Sequence, residues 1–141
     1  MMKLDKILNP VDGSEHSFRA TEYAVDLARM TNSSIVLLHC HRKFPVILAE
    51  PHFQNAINAI LKESNELIIP FVDILEQNQI PYETRILEGS AGRVIPEVAE
   101  IEKIDMIIMG SRGCTNLEGL IIGSIAHKVL HSTQCPVLVI K

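Results

Sequence analysis

The stretch DMIIMGSRGCTNLEGLIIGSIAHKV, residues 105–129, contains the features that decide the fold. A short apolar run of strand length ends at Gly110, further glycines follow at Gly113 and Gly123, and helical periodicity begins at Ile125. The pattern predicts a buried strand, a glycine-bearing loop and a helix. Glycine lets the backbone approach a ligand closely, and a helix N-terminus offers free N–H groups and a positive dipole end. The stretch therefore predicts an anion site for phosphate. The alternative is that the glycines serve only to turn the chain.

The composition is that of one globular domain covering residues 1–141. Of the 141 residues, 47% are hydrophobic and 21% are charged, which is enough apolar material for an ordinary core. The net charge is −4, with acidic and basic residues interspersed, so neither nucleic acid nor a membrane surface is an expected partner. Aromatic residues make up only 4%, so stacking platforms for bases are scarce.

The sequence also predicts a cytoplasmic protein. No apolar run approaches the roughly 18 residues of a membrane span, and Asp5 and Lys6 interrupt the N-terminal apolar residues where a signal peptide would need them. Three cysteines, Cys40, Cys114 and Cys135, lie far apart without a CxxC motif, which favours reduced thiols. Each cysteine is expected to be a small buried hydrophobe, with Cys114 the one that could be exposed and reactive.

Five apolar segments alternate with four helical patterns along the chain. The predicted strands are 6–11, 34–41, 81–88, 107–109 and 136–140, and the predicted helices are 15–30, 52–78, about 93–103 and 125–131. The alternation predicts an α/β fold, a doubly wound parallel sheet with helices on both faces. Pro70 is expected to kink or divide the second helix. The third helix is expected either to begin near Ile95 or to be kinked at Pro96.

In such a sheet, ligands bind beyond the carboxyl ends of the strands, where the strand order reverses. The glycine loop and the turn around Asp12 both lie at strand carboxyl ends. The Asp12 carboxylate suits ribose hydroxyls or an adenine amino group, although it could instead make only an Asx-turn or help to cap the first helix. The main chain of Cys40 offers one donor and one acceptor to an adenine edge. Arg112 could add positive charge beside a phosphate.

Other motifs predict less. His39 and His41 share one face of a strand, but two residues are too few for a metal site. His127 and His131 are four apart on a helix without the Glu of HExxH, which indicates a surface or dimer-facing pair. The sequence has no Walker A motif and no supported Ser-His-Asp or Cys-His arrangement.

Over essentially its whole length the chain resembles the universal stress protein family, and specifically its ATP-binding branch. The segment KILNPVDGSEHSFRATEYAVDLA resembles the first strand and helix of that family. The branch carries the pattern Gly, two residues, Gly, nine residues, Gly-Ser or Gly-Thr. Here the pattern is Gly110, Gly113 and Gly123-Ser124.

The resemblance implies sheet order 3-2-1-4-5 and an adenine-nucleotide site for ATP, with Mg²⁺ or Mn²⁺ as a possible companion ion. It implies that Asp12 lies near ribose and adenine, and that the Cys40 backbone meets adenine. It also implies a homodimer that pairs the final strand, Val137–Ile140. The expected site residues are Pro10, Val11, Asp12, Cys40, Met109, Gly110, Arg112, Gly113, Gly123, Ser124 and Ile125.

Three functions remain open from the sequence. The first is an ATP-binding sensor or switch in the stress response, in which a partner reads a nucleotide-dependent change. The second is a slow ATPase or nucleotidyl transferase, for which Glu118 is the nearest candidate base. The third is a dimeric scaffold that binds no nucleotide, against which the intact glycine pattern argues.

Overall fold

Five strands and four helices alternate in the computed structural model, which describes residues 3–47, 49–112 and 122–141. The strands are β1 Lys6–Pro10, β2 Ser34–His41, β3 Tyr82–Glu88, β4 Met106–Gly110 and β5 Val137–Ile140. The helices are α1 Glu15–Thr31, α2 His52–Gln77, α3 Ala91–Ile101 and α4 Ser124–Ser132. Every predicted element is confirmed, and each bound lies within two residues of its prediction.

The strands form one parallel sheet in the order β3-β2-β1-β4-β5, as predicted. From β1 the chain moves outward through β2 to β3, then returns to place β4 on the other side of β1. The strand order therefore reverses between β1 and β4. The two edge strands are β3 and β5.

The sheet is covered on both faces because adjacent strand residues point in opposite directions. Ile7 belongs to a core cluster with residues of α1 and α2, including Phe71. Leu8, the next residue along β1, belongs to a second cluster with residues of α3 and α4, including Val129. The continuous apolar pattern of β2 has the same cause, since Val36 and Leu37 are buried on opposite faces.

Helix α1 has a cap residue at each end, Ser14 and Asn32. The Ser14 hydroxyl accepts a hydrogen bond from the Ser17 backbone N–H at 3.2 Å, which satisfies one of the unpaired N–H groups of the first turn. The helix ends at Asn32, which adopts the left-handed conformation with φ 56°. This cap fixes the start of α1 directly after the turn that follows β1.

The structure excludes one of the two expected alternatives at each helix proline. Helix α3 begins at Ala91, so the alternative in which it begins near Ile95 is wrong, and Pro96 lies inside the helix. The helix tolerates the lost N–H because its apolar face is buried, including Ile95 at 1% exposure. Pro70 lies inside α2 without dividing it, on the solvent-facing side where water can reach the freed carbonyl.

Within the described ranges, no helix is long and apolar enough to cross a membrane.

Candidate functional site

A cavity of about 380 Å³ lies at the reversal point, beyond the carboxyl ends of β1 and β4. We call it the switch-point cavity. Ten of the eleven predicted site residues line it: Pro10, Val11, Asp12, Cys40, Met109, Gly110, Arg112, Gly123, Ser124 and Ile125. The remaining one, Gly113, lies outside the described residues, as do Cys114 and Glu118. Four separate chain segments thus meet at the predicted place.

The turn after β1 forms one wall of the cavity. The Val11 N–H donates to the Leu38 carbonyl at 2.8 Å, and the Val11 carbonyl lies 3.0 Å from Nδ1 of His39. The Asp12 carboxylate accepts a hydrogen bond from the Ser14 N–H at 2.9 Å, so the predicted Asx-turn is present. Asp12 also lines the cavity. The Asp12 carboxylate therefore stabilises the turn and also forms part of the cavity wall.

The main chain of Cys40 faces the cavity for a reason of strand geometry. The Leu38 carbonyl accepts from Val11, so even-numbered residues of β2 present their backbone groups toward β1. The register between β1 and β2 ends at Pro10 with Leu38. The N–H and C=O of Cys40 therefore point into the space beyond the end of β1. They provide one donor and one acceptor there.

The thiol of Cys40 lies on the cavity side of the sheet, beside the core cluster of α3 and α4. Burial raises the pKa of this thiol from 9.0 to about 11, and the nearby positive charge of Arg93 only partly opposes the shift. The thiol is consequently neutral at physiological pH and acts as a small apolar wall.

The expectation of a buried small hydrophobe fits Cys40 and Cys135 in part, since both are half-buried free thiols.

Close backbone packing shapes the cavity at Gly110 and Gly123. A Cβ on Gly110 would lie 2.7 Å from the Cβ of His16 and 2.8 Å from its carbonyl carbon. A Cβ on Gly123 would lie 3.1 Å from the carbonyl oxygen of Ser111. The Gly123 N–H donates to that same oxygen at 2.6 Å. The absence of a side chain at these two glycines therefore allows close packing within the chain, in addition to any role in ligand binding.

Helix α4 starts at the cavity. Gly123 is its N-cap and has no side chain with which to cap it, and Ser124 and Ile125 form the first turn beside Arg112. The N-terminus of a helix presents backbone N–H groups and the positive end of the helix dipole. This end of the cavity thus combines the features that bind anions.

His39 and His41 both lie at the carboxyl end of β2. Nδ1 of His41 lies 2.7 Å from the Arg42 carbonyl oxygen, and its ring is tilted against Phe44 with centroids 5.0 Å apart. No group of three or more His, Cys, Asp or Glu side chains with metal-binding geometry occurs among the residues that the structure describes.

Sequence reasoning missed several lining residues of the cavity. Ala91 and Ile95 on α3 line the cavity, as do Ser17 of α1 and Ala126 of α4. Ala91 and Ile95 are four apart on a helix that follows a strand carboxyl end, so that spacing could have identified them. The predicted start of α3, two residues too late, placed Ala91 in a loop.

Comparison with known proteins identifies the family. The family model described as "Universal stress protein family" matches residues 3–141, and the chain therefore belongs to that family. Universal stress protein MJ0531 of Methanocaldococcus jannaschii is 31% identical over 138 residues, which cover 96% of this chain and 81% of the relative.

The fold is shared with solved structures of this family. The structure of MJ0577, a universal stress protein of Methanocaldococcus jannaschii, has a TM-score of 0.89 and 28% identity, covering 99% of this chain and 97% of that chain. A universal stress protein in complex with cAMP has a TM-score of 0.76 and 18% identity, with 97% of each chain covered. An Arabidopsis thaliana family protein with AMP bound has a TM-score of 0.70 and 21% identity, covering 97% of this chain and 91% of that chain.

Proposed function

We propose that this protein binds an adenine nucleotide, ATP, in the switch-point cavity and acts as a nucleotide-dependent switch in the stress response. The observation that carries the proposal is the convergence of three kinds of group on one cavity. These are the Cys40 main chain, the Asp12 carboxylate, and the start of α4 beside Arg112. They match the base, the sugar and the phosphates of a nucleotide in that order.

The adenine would lie against the carboxyl end of β2. Its amino group and a ring nitrogen can pair with the carbonyl and the N–H of Cys40, which face the cavity. The neutral thiol and Ile95 provide an apolar surface for the base. Asp12 is suited to accept hydrogen bonds from ribose hydroxyls, because an ionised carboxylate offers only acceptors.

The phosphates would lie at the start of α4. Gly123 lines the cavity without a side chain, the first turn from Ser124 onward brings backbone N–H groups to it, and Arg112 adds a cation. Gly113 is proposed to contribute to the same subsite. Mg²⁺ or Mn²⁺ could accompany the phosphates, because these hard cations bind phosphate oxygens.

The family supports this ligand class. Two structural neighbours hold AMP and cAMP, and both ligands contain adenine, ribose and a phosphate. The proposed triphosphate rests on the complete glycine pattern together with the helix start. Because neither neighbour exceeds 21% identity, adenine-nucleotide binding here is an inference from the cavity, which the neighbours support.

We also propose a homodimer formed through β5. This strand lies at the edge of the sheet, and Leu138 within it is 39% exposed. An apolar edge strand with unpaired backbone groups favours pairing with another strand. A second copy of Val137–Ile140 would cover it. Nucleotide binding at the start of α4, which leads directly into β5, could then alter the dimer surface that a partner reads.

Calorimetry on purified protein stripped of nucleotide tests the proposal, with ATP, AMP and GTP as titrants. We expect ATP and AMP to bind and GTP to bind more weakly, because the Cys40 backbone offers the wrong donor and acceptor order for guanine. Asp12→Asn keeps the acceptor for the Ser14 N–H but removes the charge, and it should weaken binding. Asp26→Asn, at an exposed position of α1, is the matched control.

Absence of ATP and AMP binding to the wild-type protein would overturn the proposal. Phosphate release from ATP is then measured in the same samples with and without Mg²⁺. Steady release would support the alternative, a slow ATPase. Sedimentation of the wild type and of Leu138→Arg tests the dimer, which the added charge should dissociate.

A further inference from the structure

We propose that His127 and His131 form a two-histidine site for a divalent transition-metal ion such as Ni²⁺, Cu²⁺ or Zn²⁺ on the outer face of α4. The two residues are four apart in the helix and both are exposed. Their imidazole rings lie nearly parallel, at 18°, with centroids 5.5 Å apart. The helix thus holds two nitrogen ligands side by side.

The chemistry of the pair suits this class of metal. Neutral imidazole nitrogen is a preferred ligand for Zn²⁺, Cu²⁺ and Ni²⁺, whereas Mg²⁺ and Ca²⁺ prefer oxygen. Residues four apart on a helix are neighbours on its surface, so rotation of the two side chains can direct both rings to one ion. Water would complete the coordination shell of an exposed ion, so this is a weak two-ligand surface site and not a structural or catalytic centre, which takes three or four protein ligands. Two ligands on one rigid helix bind more tightly than either alone, because the second ligand is already in place.

The helix dipole favours a cation at this end of α4. His131 lies in the last turn of α4, where the helix dipole is negative. Lys128, the cation nearest in sequence, packs its aliphatic chain against α3. Its Cδ lies 2.8 Å from the position that a Cβ on Gly92 would take.

The site is separate from the switch-point cavity and does not depend on the proposed function. The cavity is lined by the first turn of α4, through Ala126, and neither histidine takes part in it. A metal ion bound to consecutive turns would instead stabilise the C-terminal half of this nine-residue helix.

Calorimetry with Ni²⁺ on tag-free protein tests the site. We expect one Ni²⁺ per chain in the wild type, and affinity at least about 100-fold weaker in His127→Gln and in His131→Gln. His52→Gln is the matched control, because His52 is also exposed on a helix but has Ala56, and no histidine, four residues later. That variant should retain wild-type affinity.

Thermal unfolding provides an independent measurement. A ligand that binds only the folded chain raises the unfolding midpoint, so Ni²⁺ should raise it in the wild type and in His52→Gln but not in the two α4 variants. Absence of Ni²⁺ binding to the wild type would overturn the proposal. So would affinity that is unchanged in His131→Gln, or a loss of the same size in His52→Gln.

Discussion

Nδ1 of His39 lies 3.0 Å from the carbonyl oxygen of Val11, so the end of β2 is tied to the turn that follows β1. A carbonyl oxygen can only accept, and therefore Nδ1 carries the proton in this contact. The Val11 N–H in turn donates to the Leu38 carbonyl at 2.8 Å. Both main-chain groups of Val11 are thus held by β2, and the wall of the cavity is fixed at that point.

Removing this contact should loosen the cavity wall. We predict that His39→Leu lowers the affinity for an adenine nucleotide by about 2-fold to 10-fold, corresponding to the roughly 0.5–1.5 kcal/mol of one hydrogen bond. His39→Asn should bind nearly as well as the wild type, because its amide nitrogen can occupy about the position of Nδ1. Calorimetry with AMP measures both. Equal affinities for the Leu and Asn variants would show that the contact does not position the wall.

A buried polar contact links β1 to α1 and should be important for stability. The Thr21 hydroxyl donates to Oδ1 of Asn9 at 2.7 Å, and both residues are 0% exposed. Thr21→Val leaves the Asn9 oxygen unsatisfied in the core, and we predict a loss of about 1–3 kcal/mol in the free energy of unfolding. Urea denaturation measures it. Thr84→Val, at an exposed position of β3, should change stability far less.

The two glycines of the cavity should differ in their tolerance of a methyl group. In Gly110→Ala the added Cβ meets His16, including its backbone carbon at 2.8 Å, so α1 or β4 must shift. We predict destabilisation of about 1–3 kcal/mol, the usual range for overpacking. Gly123→Ala meets a backbone oxygen at 3.1 Å and should cost less. Urea midpoints in the reverse order would contradict the described packing.

A bulkier side chain at position 123 should lower the affinity for the nucleotide. Gly123→Leu adds volume where the chain approaches Ser111, beside the start of α4. We predict weaker nucleotide binding, because the side chain would narrow the proposed phosphate subsite. Ser132→Leu, at the other end of the same helix, is the control and should leave the affinity unchanged. Calorimetry with ATP compares the two variants.

The thiol of Cys40 should make stability depend on alkaline pH. Burial raises its pKa in the folded chain to about 11, from 9.0 for the ordinary thiol. Between these values the unfolded chain loses the proton while the folded chain keeps it, so unfolding becomes more favourable as pH rises. We predict that the free energy of unfolding falls less steeply from pH 9 to 11 in Cys40→Ala than in the wild type. Cys135→Ala should change the slope less, since Cys135 is less buried. A slope unchanged in Cys40→Ala would contradict the pKa shift.

Much of the architecture could be predicted because its signals are local. The largely apolar run 34–41 shows little alternation, and such a strand is covered on both sides, as Val36 and Leu37 show. Ser14 and Asn32 mark the ends of α1 through hydrogen bonds and backbone conformations that individual residues favour. The start of α3 was predicted less well because of Pro96. A proline inside a helix is unfavourable locally, but the burial of Ile95 and its neighbours, which only packing reveals, offsets that cost.

The sequence by itself determined the alternation of strands and helices, the single parallel sheet and the set of strand-end residues that could meet a ligand. Only the tertiary structure decided that Cys40 directs its main chain into the cavity, since this depends on where β1 stops pairing with β2. It also decided that His39 holds Val11 and that Gly110 faces His16. These contacts join residues distant along the chain, and their geometry follows from strand register and helix packing, which no local pattern encodes.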